Sequence, residues 1–545
     1  MSDEHELTPR EPAEPEPGDA RNEPEGGDVQ DEPALSLAAI AVAPNAKDEG
    51  AEGGAAKAGC PVWGLHMDYR CWRPIHAAPE GTDARSVCLM HSKDPAKLSG
   101  SLYEKFWTEF EATLDAAGDG VALFDGFVFP EIDFRSREFH AMCIFSQAIF
   151  KQRADFYRAK FKEGAYFIGA KFKQRPNFTS AIFTEPADFG SAKFTQGAYF
   201  IGAEFTKGAR FAFAKFTGDA DFNSAKFTQG ADFGQATFTQ PANFTYANFR
   251  GTADWRLSEF LDQADFRRTE FDPEDKERPS AVFSLAKFSK PGDVIIDGVD
   301  LSRALFHNCD ISAVWFTSSV NWAERDKGRG LAVFDETIPL GNFFAKGLRR
   351  AGGERDLGAI AQIYQQLKKN YDARLDTWTA NDFHYGEMEM KRLAGPETGR
   401  FLLARRWLHR NLSLVALYRT ASDYGNSYGR PAAWILAVLL LFTVLLPAPG
   451  VGLMRTSGSG ATSLPTAETY ASVWDRKDHW GPNLWREVKI EGKAAIAAID
   501  TAGFQRNAEY VPSYPWGRVL AIVTTLLTST LFGLFLLAIR RQFKR

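Results

Sequence analysis

Residues 187–233 read ADFGSAKFTQGAYFIGAEFTKGARFAFAKFTGDADFNSAKFTQGADF, with Phe189, Phe194, Phe200, Phe205, Phe211, Phe216, Phe222, Phe227 and Phe233 alternately five and six residues apart. The alternation runs without a slip from Phe134 to Phe271, a period of eleven; of the 26 positions so defined, 25 are Phe and one is Trp255. Self-similarity at a fixed short period marks a repeat architecture. Two residues before most of these positions stands Ala, as at Ala187, Ala192, Ala198 and Ala203. An eleven-residue period is also that of a right-handed helical supercoil. Motifs such as Thr195-Gln196-Gly197 and Thr239-Gln240-Pro241 exclude it, because Gly and Pro recurring with the repeat break any long helix. A parallel β-solenoid remains: positions i and i−2 share one side of an extended segment, so Phe and Ala both face inward and stack on the next coil.

Ala154-Asp155-Phe156, Ala220-Asp221-Phe222, Ala231-Asp232-Phe233 and Ala242-Asn243-Phe244 carry the ladder's local motif, and Val299 to Ser318 repeats strictly every five residues through Leu301, Phe306, Ile311 and Phe316. This resembles the pentapeptide-repeat family, whose A(D/N)LXX units imply a right-handed quadrilateral β-helix. The main block departs by one extra residue in every second repeat, giving a coil of about 22 residues with the insertion at a corner. The solenoid is expected over 121–345, its regular part a rod roughly 30 Å long at ~4.8 Å per coil. Open ends need covers, and 101–120 reads as an amphipathic capping helix. Cys143 and Cys309 fall on small inward positions of the ladder.

Charge is uneven along the 545 residues. Residues 1–59 hold 15 acidic and 4 basic residues against a formal net charge of −5 for the whole chain. That stretch, rich in Pro, Glu, Gly and Ala, reads as a disordered acidic tail with no signal peptide. At 44% hydrophobic and 24% charged, the chain as a whole is neither disordered nor fibrous. From Lys151 to Phe271 there are 17 basic and 13 acidic residues, so the acidic surface that DNA mimicry needs is missing, and the interleaved charges argue against nucleic-acid binding.

Before the solenoid, 60–100 holds Cys60, Cys71, Cys88 and His91, with Cys88-Leu89-Met90-His91 at a spacing that lets one turn present two ligands to a tetrahedral ion. Structural Zn2+ suits this set, and the segment resembles the small Cys/His module of some membrane-bound pentapeptide-repeat proteins. Unliganded thiols or a disulfide are the alternatives, and His66 or His76 could replace Cys60. After the solenoid, 354–394 carries two helical patterns, read as a hairpin joining rod to membrane, and 400–430 an amphipathic helix on the membrane surface.

In 431–545, two apolar segments at about 434–454 and 519–539 match the ~30 Å hydrocarbon core. Arg405, Arg406, Arg410, Arg419 and Arg430 precede the first, and Arg540, Arg541, Lys544 and Arg545 follow the second. This bias puts both termini in the cytoplasm and the loop 455–518 outside. Within the loop, a helix over Lys493 to Ile499, then Thr501-Ala502-Gly503-Phe504, Val511-Pro512 and the second apolar segment resemble the pore half of two-helix potassium channels. Gln505 and Arg506 stand where the resemblance would require Gly and Asp, so the filter is degenerate. Thr525, Ser529 and Gly533 form a small-residue stripe.

No catalytic constellation is present: His384-Tyr385-Gly386-Glu387 lacks the second His of a zinc helix. The reading is a non-enzymatic, two-span protein of the bacterial inner membrane, a scaffold or sensor displaying a cytoplasmic β-helix to a cytoplasmic protein, homo-oligomeric through its transmembrane helices. The alternative is an oligomeric ion channel regulated by that β-helix.

Overall fold

The computed structural model describes residues 60–545 except 64–69, 84–85, 273–274, 276, 326–329, 343, 345–348, 350–353, 396–400, 447–452, 456–481, 503–509, 513–514 and 544–545. The acidic tail, His66, the filter-like residues 503–506 and most of the loop 455–518 lie outside these.

Two- and three-residue strands run from Val121–Leu123 to Trp315–Phe316 and pair in parallel along four faces, making about nine turns. The first face has nine strands, the second eight and the fourth seven. The third is divided only where Asn177 bridges Asp155 and Tyr199 as a single residue. Four faces per coil make the cross-section quadrilateral. Register confirms the coil length: Phe172 pairs with Phe194 and Phe194 with Phe216, 22 residues at each step. Near the C-terminal end Ile296 pairs with Phe316, a 20-residue coil where the sequence repeats strictly every five.

The ladder is buried as the periodicity predicts. Phe178, Phe200 and Phe222 are fully buried, their rings stacked at 4.9 Å within 2° of parallel. The stack also extends beyond the periodic block in both directions, to Phe124 and, across a 28-residue step, from Trp255 to Phe283. The stack therefore continues past the regular part, within the expected 121–345.

The two kinds of corner follow from the five- and six-residue spacings. In the shorter, Ala159 N donates to Phe156 O at 2.9 Å, closing a turn whose third residue, Arg158, has φ +55°. The Asp or Asn of the repeat motif supports this turn: Asp155 Oδ1 accepts from Tyr157 N at 3.1 Å and Asp221 Oδ1 from Asn223 N at 3.0 Å. The extra residue occupies the other corner, where coils approach closely. A Cβ on Gly218 would lie 2.4 Å from Gly197 N.

Both ends are covered. Helix α1 (Ser101–Ala117) lays Phe106 and Phe110 on the first coil, Phe110 stacking on Phe124 at 4.6 Å. At the other end, the short α2 (Phe334–Thr337) precedes an antiparallel pair, α3 (Leu357–Ala373) and α4 (Thr377–Leu393), started by Asp356 and Asp376 as N-caps. The expected role of this hairpin as a joint is incomplete, because it also caps the solenoid. Asn370 Nδ2 donates to Ile311 O, Ser312 O and Val314 O at 3.1, 3.1 and 2.7 Å, bringing a donor from the hairpin to the carbonyls at the rod's end.

The expected membrane-surface helix is two helices, α5 (Leu402–Leu412) and α6 (Leu414–Ser422). The break is at Ser413, which is extended (ψ 160°) and caps α6 by accepting from Ala416 N at 3.2 Å. The first apolar segment begins in α7 (Gly429–Leu445); residues 447–452 of the expected span 434–454 lie outside the described residues. Leu453–Arg455 instead pairs antiparallel with Tyr510–Pro512. Helix α8 (Pro482–Ala502) packs against α7 and against α9 (Pro515–Phe543). Among the described residues one helix segment, Pro515–Arg541, is long and apolar enough to cross a membrane.

Candidate metal centre at the N-terminal cap

The segment ahead of α1 has little regular structure, and its side chains converge on one point. Cys60 N donates to Arg73 O and Cys71 N to Val62 O, bringing two short arms together; Ile75 bridges Cys88 antiparallel. Ser92 N donates to Cys88 O at 3.0 Å, and this turn carries Cys88 and His91 on one side.

Ligand atoms of Cys60, Cys71, Cys88 and His91 all lie within 4.8 Å of one another, and all four residues are buried. Cys71 Sγ to Cys88 Sγ is 3.9 Å, Cys88 Sγ to His91 Nδ1 3.0 Å and Cys60 Sγ to His91 Nδ1 3.4 Å. Two thiolates on a tetrahedral zinc with Zn–S near 2.3 Å stand about 3.8 Å apart, so the cluster has the size such an ion requires. Outer contacts suit the same purpose. His91 Nε2 donates to Asp125 O at 2.8 Å, leaving Nδ1 as the free acceptor facing the sulfurs, and Cys88 N donates to Cys60 Sγ at 3.4 Å.

The cluster is electrostatically tense. The hydrogen bond between Cys71 and Cys88 pulls the Cys71 thiol down to about 3 and pushes Cys88 up. Burial works against a charged His91, but hydrogen bonds with Cys60 and Cys71 outweigh it and raise the group to about 9. A cation is the natural counterweight to packed thiolates. The expected four residues are therefore brought together. His76 is not: its Nε2 pairs with Asp94 Oδ2 at 3.0 Å.

The centre sits on the rod. Cys60, Cys71 and Cys88 belong to the same buried core as Phe106, Phe124 and Phe129, and His91 meets Phe127 edge-on at 5.3 Å. Beside it, Lys97 escapes sequence reasoning. It is 2% exposed and donates to Met90 O, Ser92 O and Val128 O at 3.1, 3.0 and 2.7 Å. Burial pushes its amine down to about 7. The only signal in the sequence is Asp94-Pro95, which starts the 3-10 turn that aims it. Asn370 had a clearer signal, since it lies three residues after Leu367 on the apolar stripe of α3, where a polar residue is out of pattern.

Segments 156–203, 167–214, 178–226, 200–248 and 233–274 match the family described as Pentapeptide repeats (9 copies). No curated protein and no solved structure matches the chain. The matched segments coincide with the most regular coils, where motif, register and ring stacking agree, and the solenoid of this chain carries pentapeptide repeats.

Proposed function

We propose that the chain is a non-enzymatic, membrane-anchored scaffold whose capped pentapeptide-repeat rod binds a protein in the cytoplasm. The observation that carries this reading is a continuous connection from rod to apolar helix. The C-terminal cap α3–α4 leads to Glu389, which binds Arg392 at 2.6 Å and the Tyr424 hydroxyl at 2.9 Å; Arg541, at the end of α9, donates to Tyr424 O at 2.6 Å. Large apolar side chains on α9 and α7 face outward, among them Ile522, Leu526 and Leu537, Leu436 and Leu440. A lipid environment accounts for that exposure, which supports two spans with both termini on the basic, inner side. On α5 and α6, exposed Leu403, Trp407 and Leu414 alternate with Arg405 and Arg410, as suits a surface at the headgroups. Zinc held by Cys60, Cys71, Cys88 and His91 would cross-link the segment that closes the rod's N-terminal end.

Membrane fractionation tests the anchor. The full chain should resist alkaline carbonate extraction, and Ile522→Asp combined with Leu526→Asp should release it. A carbonate-soluble wild type would refute the reading. One observation favours a second, channel-like reading: α8 packs against α7 and α9, and Thr525 Oγ1 donates to Thr501 O at 3.1 Å beside the filter-like segment. Single-channel conductance of the reconstituted oligomer, blocked by Thr525→Trp, would establish it; a silent bilayer would dismiss it.

A further inference from the structure

The faces of the solenoid treat charge differently. On the fourth face, lysines are neutralised between coils: Lys160 Nζ is 2.8 Å from Glu138 Oε1 and Lys226 Nζ 2.7 Å from Glu204 Oε1. On the opposite, second face, the in-register column is Lys171, Lys193 and Lys215. Lys173 flanks it, and all four are exposed. Among the described residues none of the four has a carboxylate partner, whereas Lys287, further along the same column, has Glu259 at 2.7 Å. Parallel coils place successive members about 4.8 Å apart, and like charges directly opposed destabilise a sheet. The interleaving seen in the sequence thus becomes a single basic stripe once the chain is wound.

A second anomaly lies at the corner between the first and second faces. Its left-handed position is taken by Gly169, Ser191 and Gln235 in some coils, but by Phe213, Leu257 and Leu285 in others, at φ +60°, +59° and +61°. Bulky residues are rarely found at positive φ, and these three are 46%, 47% and 41% exposed. Backbone preference and burial both argue against them, so folding does not explain their presence. Phe213 is two residues from Lys215, so the apolar ridge adjoins the basic stripe.

We propose that the second face and this corner form a docking surface for an extended segment of a partner protein, its acidic residues on Lys171, Lys193 and Lys215 and its apolar residues over Phe213, Leu257 and Leu285. Exposed Thr195 and Thr217 beside the stripe supply hydroxyls to the same carboxylates. Two of the three ridge residues are leucines, which offer no stacking platform to bases, so the ridge as a whole suits an apolar peptide side better than a nucleic-acid strand. This inference rests on the scaffold reading and assigns it a face.

The test uses the full chain in detergent micelles and a fluorescein-labelled peptide of alternating Glu and Leu, followed by anisotropy, with oligothymidylate as comparison. Lys193→Glu should weaken peptide binding about tenfold, and Phe213→Ser by a similar factor. Phe213→Ser should not lower the unfolding temperature, since Ser191 holds the same corner position one coil earlier. Lys226→Gln, on the opposite face, should leave binding unchanged. Tighter binding of oligothymidylate, indifference to Lys193→Glu and Phe213→Ser, or equal weakening by Lys226→Gln would overturn the proposal. A photo-cross-linking residue placed in cells at Phe213 or Asn248 separates this inference from the reading beneath it. Cross-links at Phe213 to an acidic, apolar peptide identified by mass spectrometry support the surface. Protein cross-links at Asn248 alone would overturn the surface and spare the scaffold, and none at either would overturn both.

Discussion

Replacing Phe200 by Ala probes the solenoid where it is most regular. The side chain is fully buried, stacked between Phe178 and Phe222 at 4.9 Å and met edge-on by Phe189 and Phe211 at 5.3 Å. Truncation leaves a cavity that rigid neighbouring coils cannot close, because their rings are held by their own stacks, so the loss should be about 4 kcal/mol. Each coil touches only its neighbours, so the damage should be local opening before global unfolding. At roughly tenfold per 1.4 kcal/mol, amide exchange in the coils of Phe178, Phe200 and Phe222 should quicken by about three orders of magnitude. Exchange in α9 should be unaffected. Gln196→Ala, four residues away and exposed, should change exchange by no more than ~0.5 kcal/mol allows. Hydrogen exchange read by mass spectrometry on the intact chain decides the matter. Equal effects at residues 196 and 200, or uniform acceleration from end to end, would refute the inward stack or its one-dimensional energetics.

The metal centre predicts about one zinc per chain; Cys71→Ser should lower that content and the unfolding temperature together, and a preparation that is metal-free and indifferent to chelator would remove the site. Asp335 is fully buried and accepts from Phe306 N at 3.1 and 3.2 Å; burial pushes its carboxyl from an ordinary 3.8 up to about 7. Because the folded state holds this proton more tightly, its stabilisation is complete below pH 3.8 and is lost as pH rises through about 7, a fall of order 4 kcal/mol, and Asp335→Asn should flatten that slope in pH-dependent thermal unfolding. A slope retained in the variant would assign it to other groups. Asn370→Leu should remove a donor that three carbonyls at the C-terminal end share, of which Val314 O keeps Arg374 and Ile311 O keeps Val314 N, and cost about 1–2 kcal/mol, with exchange rising first around Trp315–Phe316; unchanged protection there would mean the cap is dispensable.

The ladder was legible because a single physical demand, an aromatic ring above an aromatic ring, recurs at every coil and leaves a period in the chain. What fixes the corners was not legible from that period alone. The motif's Asp and Asn look like surface residues in the sequence, yet Asp155 and Asp221 hold turns whose third residue must be left-handed. A polar side chain bonding the backbone two residues on leaves no periodic trace of its own beyond the motif. The docking stripe was hidden for the opposite reason. Lys171, Lys193 and Lys215 are 22 residues apart with acids between them, so linear charge counts cancel what winding separates onto different faces.

At the ends, legibility followed chemistry. Thiols and imidazole are rare enough that Cys60, Cys71, Cys88 and His91 announced a cluster, whereas the C-terminal helices read as a joint to the membrane, and the polar Asn370 on their apolar stripe was the one sign that they also close the rod. The two caps solve one problem by different means. At the N-terminal end Lys97 sends its ammonium to Met90 O, Ser92 O and Val128 O. At the C-terminal end Asn370 does the same for Ile311, Ser312 and Val314, with Gln366 accepting from Ile311 N at 2.9 Å. A solenoid's backbone would otherwise accept further strands at either end. Stopping it with side chains from helices and from the loop that carries the Cys/His cluster fixes the number of coils and leaves the long faces as the surfaces open to a partner. It also places the C-terminal cap, through Glu389, Tyr424 and Arg541, in direct contact with the apolar helix. A load on the rod therefore reaches α9 through a packed hairpin, which is the mechanical property the proposed membrane-held scaffold needs.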